Sequence, residues 1–264
     1  VPVLDNPWIA ALVALFVWWF STGAILWAVQ RADGKDAGAH GRVVLFGLPV
    51  LVAGVAGAIV TAGQAGAAYG AFFSALAIWG WIELAFLTGW ITGPHSVAMP
   101  FCVNDAQRFR AAWGALMWHE LLLFAGLVGL FALTWNAPNT LAFWTYAVLF
   151  AARISAKMNI FFGVPRINVE FLPRPLQHLP SYFRQGPVSW LFPVSILMLT
   201  AAVFCWIERI WMTGEVGFAL LAALTGLALI EHWLMVVPLP DAKLWRWAMP
   251  AARQGLEGGE TNGL

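Results

Sequence analysis

The chain has 264 residues, 61% of them hydrophobic and only 10% charged, against about 25% charged in a soluble domain. That composition belongs to an integral membrane protein, and a net charge of +1 gives no support for nucleic-acid binding. Two cysteines, Cys102 and Cys205, are too few for a metal or disulfide framework and are expected as buried free thiols.

The N-terminal stretch, 1–30, lacks a basic start and is too long for a cleavable signal peptide, so it reads as a first span. A span needs about 20 apolar residues. Seven stretches qualify: 8–30, 43–61, 71–92, 111–135, 140–162, 188–210 and 216–237. No β-barrel pattern competes, because these runs are too long and do not alternate. The expectation is an all-α, polytopic bundle of seven transmembrane helices over residues 1–254, with a disordered Gly-rich tail at 255–264.

Loop charges orient the bundle. Arg31, Lys35 and Arg42 follow span one, Arg108 and Arg110 follow span three, and Arg166, Arg174 and Arg184 follow span five. The tail adds Lys243, Arg246 and Arg253, while the opposite side has only Arg209 nearby. The positive-inside rule puts the N-terminus in the periplasm and the C-terminus in the cytoplasm. Segment 241–251, with Trp245, Trp247 and Met249 beside Lys243 and Arg246, suits a short amphipathic helix on the cytoplasmic face.

Span two carries Ala53, Gly54, Gly57 and Ala58, and Gly63, Gly66 and Gly70 follow. Small residues four apart let helices approach closely, either inside the bundle or in a dimer. There are 17 tryptophans. Several sit near span ends, where indole favours the interface. Trp18, Trp19, Trp79, Trp81, Trp118 and Trp233 lie deeper, where packing or stacking on a flat ligand would use them. Asn104 or Asp105 suits the N-cap of span four. The connection 163–187 holds Pro165, Pro173, Pro175, Pro180 and Pro187, which forbid a regular helix. It also holds Ile167, Val169, Phe171, Leu172, Leu176, Tyr182 and Phe183, too apolar for a solvated linker. It is expected to fold back onto the membrane face or a partner. His95, and His178 near Glu170, read as surface or interface histidines.

Besides Arg209 at the end of span six, eight ionisable or imidazole side chains fall inside the spans. Glu83, His119, Glu120, Arg153, Lys157, Glu231 and His232 share one depth in the cytoplasmic half; Glu208 stands apart. Counted from the span ends, Glu83 and Arg153 lie about 14 Å in, His119 about 12 Å, Glu231 about 9 Å and Lys157 about 8 Å. A charge at a helix centre costs about 2.5–3.5 kcal/mol, so these groups must pair, go neutral or hold a ligand. Three readings follow. In the first, Glu83, Glu120 and Glu231 neutralise Arg153 and Lys157 in a buried ion-pair layer. In the second, Glu83, His119, Glu120, Glu231 and His232 ligate a metal such as iron, although adjacent helical residues point about 100° apart. In the third, His119 or His232 ligates the magnesium of a bacteriochlorophyll. No hydrolase nucleophile with its base, phosphate loop or nucleotide fingerprint is present.

Several of these segments carry a resemblance: Pro7–Trp8 through Trp18–Trp19–Phe20–Ser21–Thr22–Gly23, the stretch around His95, and Trp118–His119–Glu120. It continues in Ala156–Lys157–Met158–Asn159–Ile160–Phe161–Phe162–Gly163–Val164–Pro165, Leu172–Pro173–Arg174 and Glu231–His232–Trp233. The chain resembles, over nearly its whole length, the PuhE-type photosynthetic complex assembly proteins of anoxygenic phototrophic bacteria. The resemblance carries no catalytic residue. It implies relatives encoded beside reaction-centre and bacteriochlorophyll genes, which help to build the reaction centre–light-harvesting 1 complex. The expected role is therefore assembly or stabilisation of that complex in the intracytoplasmic photosynthetic membrane. The partners would be reaction-centre and light-harvesting 1 subunits and the lipid bilayer, with a pigment in transit as a further ligand. A metal-dependent oxidase or hydroxylase acting on a pigment, and a stable accessory subunit of the mature complex, are the alternatives.

Overall fold

The computed structural model describes residues 3–36, 38–99, 104–169 and 172–238. Over these the chain is helical. Seven long helices follow one another: α1 Pro7–Asp33, α2 Ala39–Ala62, α3 Ala68–Leu87, α4 Asp105–Thr134, α5 Leu141–Phe162, α6 Leu191–Thr213 and α7 Val216–Leu234. Six of them are long and apolar enough to cross a membrane; α5 falls short of that apolarity. α5 carries Arg153 and Lys157 and packs against α3, α4, α6 and α7. Enclosure by other helices is what makes such residues tolerable in this layer.

Local chemistry sets the helix ends. Asn6 caps α1, accepting from the Trp8 N–H at 2.9 Å, with Pro7 in the first turn, where a missing N–H costs nothing. Asn104, rather than Asp105, caps α4, and Gln107 returns the bond in a capping box. α4 therefore starts six residues before the expected 111. α3 ends at Leu87, not 92. The Thr88 hydroxyl donates back to the Leu84 carbonyl at 2.9 Å, and Gly89 turns the chain at φ +81. A Cβ at Gly89 would stand 2.7 Å from Pro175 of the proline connection. Glu83 is thus four residues from its helix end, about 6 Å, and not 14 Å. α6 ends at Thr213, three residues beyond the expected 210, with Gly214 following in the left-handed conformation. α7 stops at Leu234, three residues short of the expected 237.

The two ends of the bundle are distinct. At one, the Asn139 side chain donates to the Gln64 carbonyl at 3.1 Å and the Tyr69 hydroxyl to the Leu4 carbonyl at 2.8 Å. At the other, Asp33 meets His40 at 2.9 Å and accepts from the Arg174 N–H, and the Arg166 N–H donates to the Met235 carbonyl. The loops rich in Lys and Arg all lie at this second end.

α2 and α3 pack closely. A Cβ at Gly54 would stand 3.0 Å from both the Ala77 Cβ and the Ser74 carbonyl, so Gly54 serves internal packing, as do Gly57 and Ala58, while Ala53 is exposed. The core runs through Phe72, Ile78 and Ile82 of α3, Leu123 of α4, Tyr146 of α5 and Leu224 of α7. A second cluster joins Phe86 and Ala115 to Leu176, Leu179 and Tyr182. It docks the proline connection, whose described residues include two short 3-10 turns, Arg174–Leu176 and Leu179–Tyr182. Cys205 is exposed on α6, contrary to the expected buried thiol. Lipid tails are as apolar as a protein core, so nothing drives a thiol inward. Cys102, Glu170, Phe171 and the tail segments 241–251 and 255–264 lie outside the described residues.

Candidate functional site

The polar layer is assembled where α3, α4 and α5 meet. Just before it, the chain after α3 wedges against α4. The Gly114 carbonyl accepts from the His95 N–H at 3.2 Å, and the Trp118 N–H donates to the Thr92 carbonyl at 3.0 Å. Gly114 and Trp118 would be bonded to each other in an unbroken helix. His95, read from sequence as a surface or interface histidine, is exposed, with its ring beside Gly114 and Nδ1 3.4 Å from the Ala111 carbonyl.

His119 follows and is fully buried. Its Nε2 lies 3.6 Å from Glu83 Oε1 and its Nδ1 3.4 Å from Glu120 Oε1. Phe86 stacks on the ring at 4.1 Å. Lys157 of α5 reaches between the two neighbours, with Nζ 3.1 Å from His119 Nδ1 and in direct contact with Glu120 Oε1. One turn earlier, Arg153 Nη2 donates to Glu83 Oε2 at 2.9 Å. Five of the seven polar residues thus form one connected cluster of two carboxylates, two cations and an imidazole. The charges sum to zero with the imidazole neutral, which suits burial.

Glu231 and His232 do not join it. His232 is buried; its Nδ1 donates to the Ala228 carbonyl at 2.8 Å, and its Nε2 lies 2.8 Å from Ser155 Oγ. Glu231 points elsewhere because adjacent helical residues diverge by about 100°, and no described cation lies within ion-pair distance of it. Glu208 is exposed near the end of α6, apart from the layer. Among the described residues, no three His, Cys, Asp or Glu side chains converge as metal ligands. The five-residue ligand set of the second sequence reading is therefore not assembled. The Lys157 ammonium occupies the space between His119 and Glu120 that a cation would take. Sequence reasoning missed the uncharged partners. Asn159 donates to Ser195 Oγ at 2.8 Å and to the Ser155 carbonyl at 3.0 Å, tying α5 to α6 beside His232. Ser155 and Asn159 are four residues apart, on one helix face, and that spacing was the available signal.

Above the layer lies a cavity of about 500 Å³. It lies towards the arginine-rich end among α1, α3, α4, α5 and α7, and the proline connection forms one wall. Arg153, Lys157 and Glu231 face it, as does Trp18, while Trp79 packs edge-on against Tyr146 at 5.1 Å. Trp81 donates to the Val44 carbonyl, and Trp118 and Trp233 are exposed.

Fold and site together define a multi-helix membrane protein with an ion-paired polar layer beneath an apolar-walled cavity. The chain belongs to the family described as a protein of unknown function (DUF3623), whose model matches residues 4–255. It is 48% identical, over 260 residues, to a Rhodobacter capsulatus protein described as an uncharacterized 30.4 kDa protein in the puhA 5′ region; the match covers 96% of this chain and 95% of that one. No solved structure matches.

Proposed function

We propose that this protein is an assembly or stabilisation factor for the photosynthetic reaction centre–light-harvesting 1 complex. The observation that carries the reading is the near-full-length relative described by its place in the puhA 5′ region, which agrees with the gene neighbourhood that the sequence resemblance implies. In this reading all seven helices span the photosynthetic membrane, with the N-terminus periplasmic. The docked proline connection then offers a cytoplasmic contact surface. The polar layer fixes α3, α4 and α5 against one another. Closed packing around His119, and the engagement of both ring nitrogens of His232, favour this structural role over magnesium or iron ligation.

Deletion of the gene tests the reading. Core complex, measured by membrane absorption, should fall while free pigment is still made. The tagged protein should co-purify with intermediates and be scarce in mature complexes. Stoichiometric recovery in the mature complex would make it an accessory subunit instead. Stoichiometric iron in the purified protein, lost on both His119→Ala and His232→Ala, would favour the oxidase alternative.

A further inference from the structure

The cavity has no part in the role just described, yet it is built like a ligand site. Its walls are apolar, from Leu26 of α1, Phe86 of α3 and Leu116 of α4 to Leu176 and Phe183 of the proline connection. Its volume, about 500 Å³, lies within the range of about 300–1,000 Å³ that encloses a single small molecule. A single-tailed amphiphile falls in that size class.

Four charged residues line the cavity: Arg153, Lys157, Arg166 and Glu231. Three are cations. Glu83 and Glu120, which pair with Arg153 and Lys157, are not among the lining residues. They approach the cations from behind. Pairing does not exhaust either cation. A guanidinium has five N–H donors and an ammonium three, while Arg153 bonds Glu83 and Lys157 bonds Glu120 and His119. The Arg153 side chain keeps 35% of its surface accessible and Lys157 keeps 20%, and both line the cavity. Arg166 stands with them, its Nη1 donating to the Val237 carbonyl at 3.1 Å.

We propose that this cavity binds a single-tailed amphiphilic anion. The apolar body lies along the leucine and phenylalanine walls. The compact anionic head, a carboxylate, sits against Arg153, Lys157 and Arg166. Glu231 is the one like charge facing that head. When ionised it weakens binding and so caps how tightly the ligand is held.

The test uses the full chain in phosphatidylcholine nanodiscs and radiolabelled oleate as the probe. One saturable site per chain is expected. Oleyl alcohol, which keeps the tail and loses the charge, should compete at least about tenfold more weakly. Ala112→Phe, which fills the cavity from α4, should reduce affinity by about tenfold or more. Glu231→Gln should tighten oleate binding by about threefold to tenfold and leave the alcohol unchanged. That gain of function cannot come from misfolding, so the test stands even where Ala112→Phe fails to fold.

Four results would overturn the proposal. One is the absence of saturable oleate binding by folded protein. Another is equal competition by acid and alcohol. The third is weaker binding in Glu231→Gln, which would mean that the head binds as the protonated acid, donating its O–H to Glu231, and not as an anion. Displacement of oleate by phosphatidylglycerol at equal concentration would reassign the site to a two-tailed headgroup and sink the single-tail claim. All readouts are on purified protein, so their failure leaves the assembly role untouched.

Discussion

Arg153 and Glu120 sit in one cluster but carry unequal consequences. Glu83 has Arg153 as its close cation and His119 as its other neighbour. Removing the guanidinium leaves a carboxylate in a layer that already holds Glu120. Breaking a buried pair from one side costs about 3–5 kcal/mol; since Arg153 also faces the cavity, the lower end applies. Glu120→Gln is milder, at about 1 kcal/mol, because the amide oxygen still accepts from Lys157. Thermal unfolding in detergent should rank Arg153→Leu well below Glu120→Gln. The double change Arg153→Leu with Glu83→Gln should recover most of the loss, since removing both charges is often near neutral. A double variant no more stable than Arg153→Leu alone would mean that pairing does not hold the layer.

At the scale of elements, the wedge of 92–95 against α4 depends on two glycines. A Cβ at Gly93 would collide with the Gly114 backbone carbonyl, whereas one at Gly114 would meet only the His95 ring. Backbone cannot move aside as a ring can. Gly93→Ala is therefore expected to destabilise by about 3 kcal/mol or more, the upper end for overpacking. Gly114→Ala should cost less, and comparison of their thermal midpoints checks the order. The proline connection has its own sensitivity. Burial lowers the His178 pKa, although a hydrogen bond at Pro175 partly opposes this. Nε2 is buried with no partner among the described residues. The undocked chain therefore takes up the proton first, at a pKa near 6.5. Docking is fully favoured above that value and is lost as pH falls through it towards the lower folded pKa. Amide hydrogen exchange over 172–186, corrected for intrinsic rates, should speed up between pH 7.5 and pH 5. His178→Phe should flatten that change; an unchanged profile would remove His178 from the account.

Across the whole molecule, the arginine-rich loops gather at one end, with Asp33, His40 and Arg174 joined there. The turn after α2 meets Asn139 at the other. Gly66 and Gln177, both exposed, are therefore on opposite sides. In a background lacking Cys102 and Cys205, Gly66→Cys should react with an impermeant maleimide from the periplasm and Gln177→Cys only after the membrane is opened. Labelling of Gln177→Cys from the periplasmic side would invert the orientation drawn from the Lys and Arg count.

Helix number and approximate place were legible in the chain because a bilayer demands about 20 apolar residues per crossing, a local property. The same logic marked the buried charges, since their cost in hydrocarbon is large wherever they stand. Helix ends were less legible. α3 stops at Leu87 because Gly89 turns beneath Pro175, a contact between residues 86 positions apart. Nor could sequence assign partners within the layer. Adjacent residues such as Glu231 and His232 diverge around a helix, and only packing decided that Lys157 would fill the space between His119 and Glu120 while His232 turned to Ser155. The cavity was least legible of all. It belongs to no segment and exists because five helices and a folded-back connection fail to close over three cations.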